Sequence, residues 1–124
     1  KTYWAVLSSL PAEDQGTIDA PLFKVSSAEA GWRMVIDSRG KRAVTHWRVR
    51  DRVAQLVEFT PETGRTHQLR VHAASIGHAI LGDPVYGDGQ GPMRLHARRI
   101  VIPYAADAAP IDVSAPLPDD WPME

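Results

Sequence analysis

The 124-residue sequence contains no cysteine. Disulfide frameworks, thiolate zinc sites and a cysteine nucleophile are therefore excluded. The sequence also lacks an apolar run approaching the roughly 18 residues of a membrane span, and no signal peptide is visible in it. These absences predict a soluble, cytoplasmic protein that makes no contact with a membrane.

Several motifs that carry chemistry are also missing. We find no Walker loop, no dinucleotide-binding fingerprint, no Gly-x-Ser-x-Gly elbow and no internal repeat. The best-placed histidine pair for a metal, His67 and His72, is five residues apart. That spacing separates two side chains by about 140° around a helix, so the i, i+4 pairing of a zinc helix is absent. The sequence predicts no metal site.

The net charge of −1 conceals an uneven distribution of charge. Residues 33–99 hold 12 of the 14 Lys and Arg residues, 6 of the 15 Asp and Glu residues, and all five histidines. A basic middle between acidic flanks favours a polyanion partner on one face of the protein. Scattered arginines in solvent would give the same composition, so charge alone leaves both interpretations open.

Hydrophobic periodicity predicts strands over residues 2–8, 17–20, 32–37, 43–50, 53–60 and 95–102. Residues 43–50 and 53–60 form a hairpin, with Val53 facing the core beside Val57 and Phe59, whereas the small polar residues 24–31 predict a loop. A helix is expected over 67–76, with Thr66 as N-cap and Gly77 after its end. This order indicates an α+β fold with a mainly antiparallel mixed sheet and one principal helix. Residues 105–124 form an acidic Ala/Pro-rich tail, lying over the surface or partly disordered.

The run from Thr63 to His72 is the most informative stretch. A glycine turn delivers Arg65 to the start of the predicted helix, where free N–H groups and the helix dipole favour an anion. The guanidinium adds a planar donor fork suited to a carboxylate or a phosphate. His67 and Arg70 follow on one face. An anion site and an ordinary helix start with surface polar residues are both consistent with this run.

Two further features are candidates for contact with a nucleic acid. The side chains of Arg48, Arg50 and Arg52 share one side of the predicted hairpin, which suits either a phosphate track or a solvated sheet face. Tyr3 and Trp4 point to opposite faces of the first strand. One belongs to the core and the other is available for stacking on a base, but the local sequence does not say which.

An ordered set of motifs resembles the RluA-type pseudouridine synthases. The set runs from residue 1 to about residue 104, which we take as one domain. Its members are Lys1-Thr2-Tyr3, Gly16-x-Ile18-x-x-Pro21-Leu22, Gly40-Lys41-x-Ala43-x-Thr45, Thr63-Gly64-Arg65-Thr66-His67-Gln68-Leu69-Arg70-Val71-His72, Gly77-His78-x-Ile80-x-Gly82-Asp83-x-x-Tyr86-Gly87, and the segment at residues 94–97.

The resemblance implies an enzyme that isomerises uridine to pseudouridine in structured RNA, such as rRNA or tRNA, without metal or cofactor. It implies that Tyr3 stacks on the target base and that Arg65 pairs with the catalytic aspartate of the family. We expect RNA contacts from the four residues His67, Arg70, Arg39 and Lys41.

The catalytic aspartate of the family lies in a His-Arg-Leu-Asp-x-x-Thr-Ser-Gly motif that precedes the Lys-x-Tyr strand and has no counterpart in this sequence. The chain is therefore expected to be the C-terminal part of a catalytic domain, truncated at its N-terminus and inactive alone. A sheet edge left open by that truncation predicts a homodimer. The alternatives are a non-catalytic RNA-binding module and a structural remnant of the same fold.

Overall fold

The computed structural model describes residues 1–102 and 111–114, with only the backbone described for 99–102 and 111–114. Its elements, in chain order, are β1 (Thr2–Val6), β2 (Gln15–Asp19), β3 (Leu22–Ser27), β4 (Gly31–Ile36), β5 (Val44–Asp51), β6 (Leu56–Pro61), α1 (Gln68–Ser75), β7 (Leu95–Ile102) and β8 (Ile111–Ser114).

Six strands form one sheet in the order β2-β5-β6-β1-β7-β8, and β3 pairs with β4 in a separate two-stranded sheet. Every strand pairing in the described residues is antiparallel. The α+β fold with one principal helix is confirmed. The described residues contain no helix long and apolar enough to cross a membrane.

The core lies where α1 packs on one face of the large sheet. Phe59 and Val57 of β6 are fully buried and join Leu69 and Ala73 of the helix in the largest apolar cluster. On β5, Trp47 faces this cluster while the neighbouring arginine side chains point to solvent. Arg48 and Arg50 thus lie on one side of the hairpin, as the sequence predicts.

The start of β6 differs from the prediction. Val53 is 97% exposed, so the expectation that it shares the buried face of Val57 and Phe59 is wrong. The reason is the tight turn at the hairpin, in which the Ala54 N–H donates to the Asp51 carboxylate (3.0 Å) and Gln55 adopts a φ of 59°. This turn keeps the residues before Leu56 out of the sheet.

The loop predicted over residues 24–31 is also wrong, because most of it belongs to a hairpin. Strand β3 pairs with β4 along its whole length, from Leu22 opposite Ile36 to Ser27 opposite Gly31. The Ser27 hydroxyl accepts the Ala30 N–H (2.9 Å) and closes the turn. Small polar residues are tolerated here because most of them are exposed and the partner strand satisfies the backbone.

Helix α1 begins later than predicted. Its N-cap is His67, with a φ of 56° and no side-chain cap, so Thr66 is not the N-cap. The prediction failed because the conformation of His67 is set by contacts from other elements, described below. The predicted end holds: Gly77 has a φ of 84° and its N–H donates to Ala74 O (3.0 Å).

The last predicted strand, over residues 95–102, coincides with β7. Within the predicted tail, residues 111–114 form β8 and pair with β7. The remainder of the tail prediction, residues 105–110 and 115–124, lies outside the described residues.

Replacement of Phe59 by alanine should lower the free energy of unfolding by about 3–5 kcal/mol, because a fully buried aromatic leaves a cavity at the centre of the core. Urea denaturation measures the change. The matched control is Val53→Ala, which should stay within about 0.5 kcal/mol of the parent chain because the side chain is exposed. Equal effects at the two positions would contradict the description of the core.

Candidate active site

Tyr3 and Arg65 line one cleft of about 460 Å³ between the sheet and the start of the helix. Tyr3 is half-buried on β1, where it is paired with Phe59 of β6 and Ala97 of β7. An aromatic ring on a strand that is paired on both sides is held more rigidly than one on a loop. The described residues thus place an aromatic wall and a guanidinium around the same space.

The side chain of Gln68 fixes the turn that carries Arg65. Its carbonyl oxygen accepts the Thr63 hydroxyl (2.7 Å) and the Arg65 N–H (3.0 Å). Its amide group donates to Val44 O (2.9 Å) and to the Thr45 hydroxyl (3.0 Å). Every hydrogen-bonding position of this buried amide is occupied, so the turn before the helix is anchored to β5.

The guanidinium of Arg65 is only partly used by the protein. Its Nε donates to the carbonyl oxygen of Arg42 (2.8 Å), which fixes the direction of the side chain. In the described part of the chain, no carboxylate lies within ion-pair distance of Arg65. The outer donors of the fork therefore remain available for a carboxylate or a phosphate.

A buried histidine, His72, extends the hydrogen bonds that Gln68 makes to β5. His72 is fully buried; its Nε2 donates to Ala20 O (2.9 Å), so its Nδ1 accepts the Thr45 hydroxyl (2.8 Å). This arrangement requires a neutral ring. Burial lowers the pKa of His72, because the imidazolium form loses hydration.

The guanidinium of Arg70, a predicted RNA contact, is already paired with a carboxylate of the protein itself. It forms a bidentate pair with the fully buried Asp83 (Nε–Oδ2 and Nη2–Oδ1, both 2.9 Å). Asp83 also accepts the N–H groups of Val85 and Tyr86. Burial alone would raise the pKa of Asp83, but these hydrogen bonds outweigh it and hold the pKa below its usual value.

His67, a second predicted RNA contact, lies at the rim of the cleft. Its ring stacks on Trp32 of β4 (centroids 4.9 Å apart) and its Nδ1 hydrogen-bonds the Tyr86 hydroxyl (2.9 Å). Burial and the nearby charge of Arg70 lower the pKa of His67. These contacts hold a non-glycine residue in the left-handed conformation, which is uncommon.

Arg39 and Lys41 line a neighbouring groove of about 610 Å³, which Arg65 also lines. The Arg39 guanidinium pairs with Asp37 (2.8 Å) and lies over the Phe23 ring (4.4 Å). The Lys41 side chain has no ion pair among the described residues. The structure thus brings Tyr3 and the predicted RNA contacts to two adjoining cavities.

On the other face of the sheet lies Trp4, the second of the two aromatic residues at the start of β1. Trp4 is 4% exposed and belongs to the core, with the guanidinium groups of Arg50 and Arg98 over its ring (both 5.0 Å). Tyr3 is therefore the residue that faces a cleft. Arg48 and Arg50 share the single carboxylate of Glu58, so part of the charge of the candidate phosphate track is compensated within the sheet.

Sequence reasoning missed four residues that organise the site: Gln68, His72, Asp83 and Tyr86. The bonds of Asp83 to Val85 and Tyr86 are local, but its pairing with Arg70 joins residues 13 positions apart. The side chains that could hold a metal are dispersed: across residues 1–98, no group of three or more is close enough to do so.

Comparison with known proteins decides the family. The sequence model of the RNA pseudouridylate synthase family matches residues 1–75. This chain belongs to that family. The resemblance inferred from the motifs is thereby confirmed.

Two curated pseudouridine synthases and one solved structure show the extent of the likeness. An uncharacterized RNA pseudouridine synthase of Zymomonas mobilis is 50% identical over 95% of this chain and 57% of its own length. Ribosomal large subunit pseudouridine synthase D of the same organism is 39% identical over 99% of this chain and 43% of its own. The human RNA pseudouridylate synthase domain containing 1 superposes with a TM-score of 0.77 at 31% identity, covering 94% of this chain and 54% of that one. The chain thus spans about half the length of these pseudouridine synthases.

The buried position of His72 predicts a pH-dependent contribution to stability. Because the pKa of His72 is lowered in the folded state, this contribution is present above the unfolded pKa of about 6.5 and is lost as the pH falls from there toward the folded pKa. We expect His72→Gln to be less stable than the parent chain at pH 7.5. The difference should narrow at pH 5.5, because the imidazolium form is favoured in the unfolded chain.

Urea denaturation of both proteins at the two pH values measures this difference. His67 also has a lowered pKa, but it is present in both proteins and cancels. A gap that stays constant, or widens, as the pH falls would show that His72 does not remain neutral in the fold.

Proposed function

We propose that this chain forms the part of an RNA pseudouridine synthase that stacks the target uracil and orients the catalytic carboxylate. The observation that carries the proposal is the shared cleft of Tyr3 and Arg65, in which the guanidinium fork has unused outer donors. The membership of this chain in the RNA pseudouridylate synthase family supports the same assignment.

The reaction is an isomerisation in which no atom is gained or lost. The bond between N1 of uracil and C1′ of the ribose breaks, the base turns, and a bond forms between C5 and C1′. The proton on C5 leaves and N1 gains a proton. The protein must therefore hold a detached base in place, which a stacking aromatic side chain does, and must keep the carboxylate beside the ribose.

Arg65 suits the second task because of where it is anchored. A planar fork beside a helix start binds a carboxylate in one orientation, and holding a reacting group in the correct geometry is itself a large part of catalysis. Tyr3 suits the first task because its strand is paired on both sides. We also propose that its phenol oxygen takes up the C5 proton, through water or directly.

RNA is the substrate class that this proposal requires, with rRNA and tRNA as the candidate molecules. The target uridine must leave its base stack to reach a cleft lined by Tyr3, as in other enzymes that act on a base. Affinity must come from a local basic surface, because the chain as a whole has a net charge of −1.

A chimera tests the function directly. In ribosomal large subunit pseudouridine synthase D of Zymomonas mobilis, the matching 43% of the protein is replaced by this chain. Tritium release from RNA carrying 5-tritiated uridine should occur with the chimera and not with the 124 residues alone. Arg65→Lys in the chimera should reduce the rate about 10- to 100-fold, because lysine loses the bidentate fork.

The matched control is Arg48→Lys, which makes the same chemical change on the opposite face of the sheet. It should leave the rate within about twofold. A folded chimera whose rate is equally insensitive to both substitutions would refute the assigned role of Arg65. Tritium release by the 124 residues alone would contradict the need for a carboxylate from outside this sequence.

We also propose that the chain pairs with a second copy through a sheet edge. Strand β2 has a single neighbour, β5, among the described residues, and an unpaired edge is a template for another strand. Light scattering over a concentration series should therefore detect a dimer. The double variant Gln15→Lys/Thr17→Lys should be monomeric, since charge on an edge opposes pairing. A parent chain that is monomeric at every concentration would disprove the association.

A further inference from the structure

All three lysines of the sequence, Lys1, Lys24 and Lys41, line the two adjoining cavities of the site. Lys1 lines the cleft of Tyr3. Lys24 and Lys41 line the larger space between the β3–β4 hairpin and residues 64–66, which we call the hairpin groove. Their convergence from three separate segments of the chain is a property of the fold.

The hairpin groove is positively charged and has no acidic residue in its wall. It is lined by Lys24, Arg39, Lys41 and Arg65 and by no aspartate or glutamate. Of these cations, only Arg39 is paired with a carboxylate, and the described residues give the two lysines no ion pair. Uncompensated charge in a concave surface attracts an anion more strongly than charge on an open face.

The arginines of the sheet, unlike the lysines of the groove, are paired with carboxylates. Arg48 and Arg50 share Glu58, and Arg52 pairs with Asp14 (2.7 Å) while also donating to the carbonyls of residues 11–13. Of these two basic surfaces in the described part of the chain, the groove therefore keeps the larger share of its charge for a partner.

The wall of the groove is fixed in place. The ring of Trp32 stacks on His67, and the Lys24 ammonium lies 4.7 Å from the ring centre, so its charge meets an aromatic face and no carboxylate. The Tyr86 hydroxyl accepts the Met34 N–H (3.0 Å) and ties the hairpin to the loop after the helix. The cations are thus presented by an ordered surface, which lowers the entropic cost of binding.

Arg65 connects the groove to the cleft, because it lines both. A nucleotide whose base is stacked on Tyr3 would have its neighbours leave the cleft beside Arg65. The backbone next to an extruded base is locally single-stranded. Its phosphates would meet Lys24 and Lys41 if the strand continues into the groove.

We propose that the hairpin groove binds the phosphates of the single-stranded RNA segment that adjoins the target uridine, with Lys24 and Lys41 as the main contacts. This inference rests on the proposed function for its choice of polyanion, but its test needs no catalysis.

Binding of a fluorescein-labelled, 12-nucleotide single-stranded RNA to the 124-residue chain is measured by anisotropy at several salt concentrations. Each phosphate contact contributes about 0.7 to the slope of log K against log salt for a single strand. Lys24→Ala/Lys41→Ala should therefore flatten the slope by about 1.4 and weaken binding at low salt at least tenfold. Both side chains are exposed, so circular dichroism should show an unchanged fold.

The matched control is Arg48→Ala/Arg50→Ala, which removes the same charge from the sheet and should leave the slope within about 0.3 of the parent value. An unchanged slope in the lysine variant, or equal losses in the two variants, would overturn the proposal. Equal affinity for a 12-base-pair RNA duplex would overturn the single-stranded part of it.

Acetylation footprinting supplies a second readout that depends on no substitution. Because the sequence has three lysines, mass spectrometry can follow each of them. The RNA should slow acetylation of Lys24 and Lys41 severalfold. If both react at the same rate with and without RNA, the groove is not the binding surface. A groove that binds RNA while the chimera fails to release tritium would leave this inference standing and refute only the proposed function.

Discussion

The amide of Gln68 is the point on which the site depends. This side chain is buried and uses both of its donors and both acceptor positions, two of them on the turn at residues 63–65 and two on β5. A buried amide with no spare hydrogen-bonding group has one favourable orientation, since any other leaves a polar atom unsatisfied. The hydrogen bonds continue through Thr45 to His72 and Ala20. The position of Arg65 is thus determined by the interior of the fold.

The cations of the protein fall into two groups: some are paired within the fold, and others face the two cavities. Arginines on the outer face of the sheet are paired with carboxylates, and Arg70 is paired with the buried Asp83. These cations contribute to the fold, whereas Arg65 and the three lysines face the two cavities without a carboxylate partner among the described residues. A chain of net charge −1 can therefore present a strongly positive surface in one place.

Local patterns predicted the elements whose residues alternate between core and solvent. Strand β5 is of this kind, and the glycine at the end of α1 was identified by its conformational requirement. Strand β3 was missed because its pairing partner, more than its own side chains, makes it a strand. The N-cap was misplaced because Trp32 and Tyr86, distant in sequence, hold His67.

The candidate site was predictable where its residues are adjacent in the sequence. The motif around Arg65 is contiguous, so the guanidinium and its helix start could be identified from sequence, and the resemblance indicated Tyr3. The partners of Arg70 and Trp4 are contributed by segments far along the chain. Pattern alone therefore gave no signal that the first is part of a buried ion pair or that the second is core.

The central claim is that the fork of Arg65 holds a carboxylate opposite the ring of Tyr3. A crystal structure of the chimera with synthase D, in which the host supplies the aspartate motif, measures this most directly. We expect the host aspartate within about 3 Å of the outer guanidinium nitrogens, with the Tyr3 ring across the same cleft. An aspartate outside hydrogen-bond reach of Arg65, or a Tyr3 ring turned away from the cleft, would contradict the account.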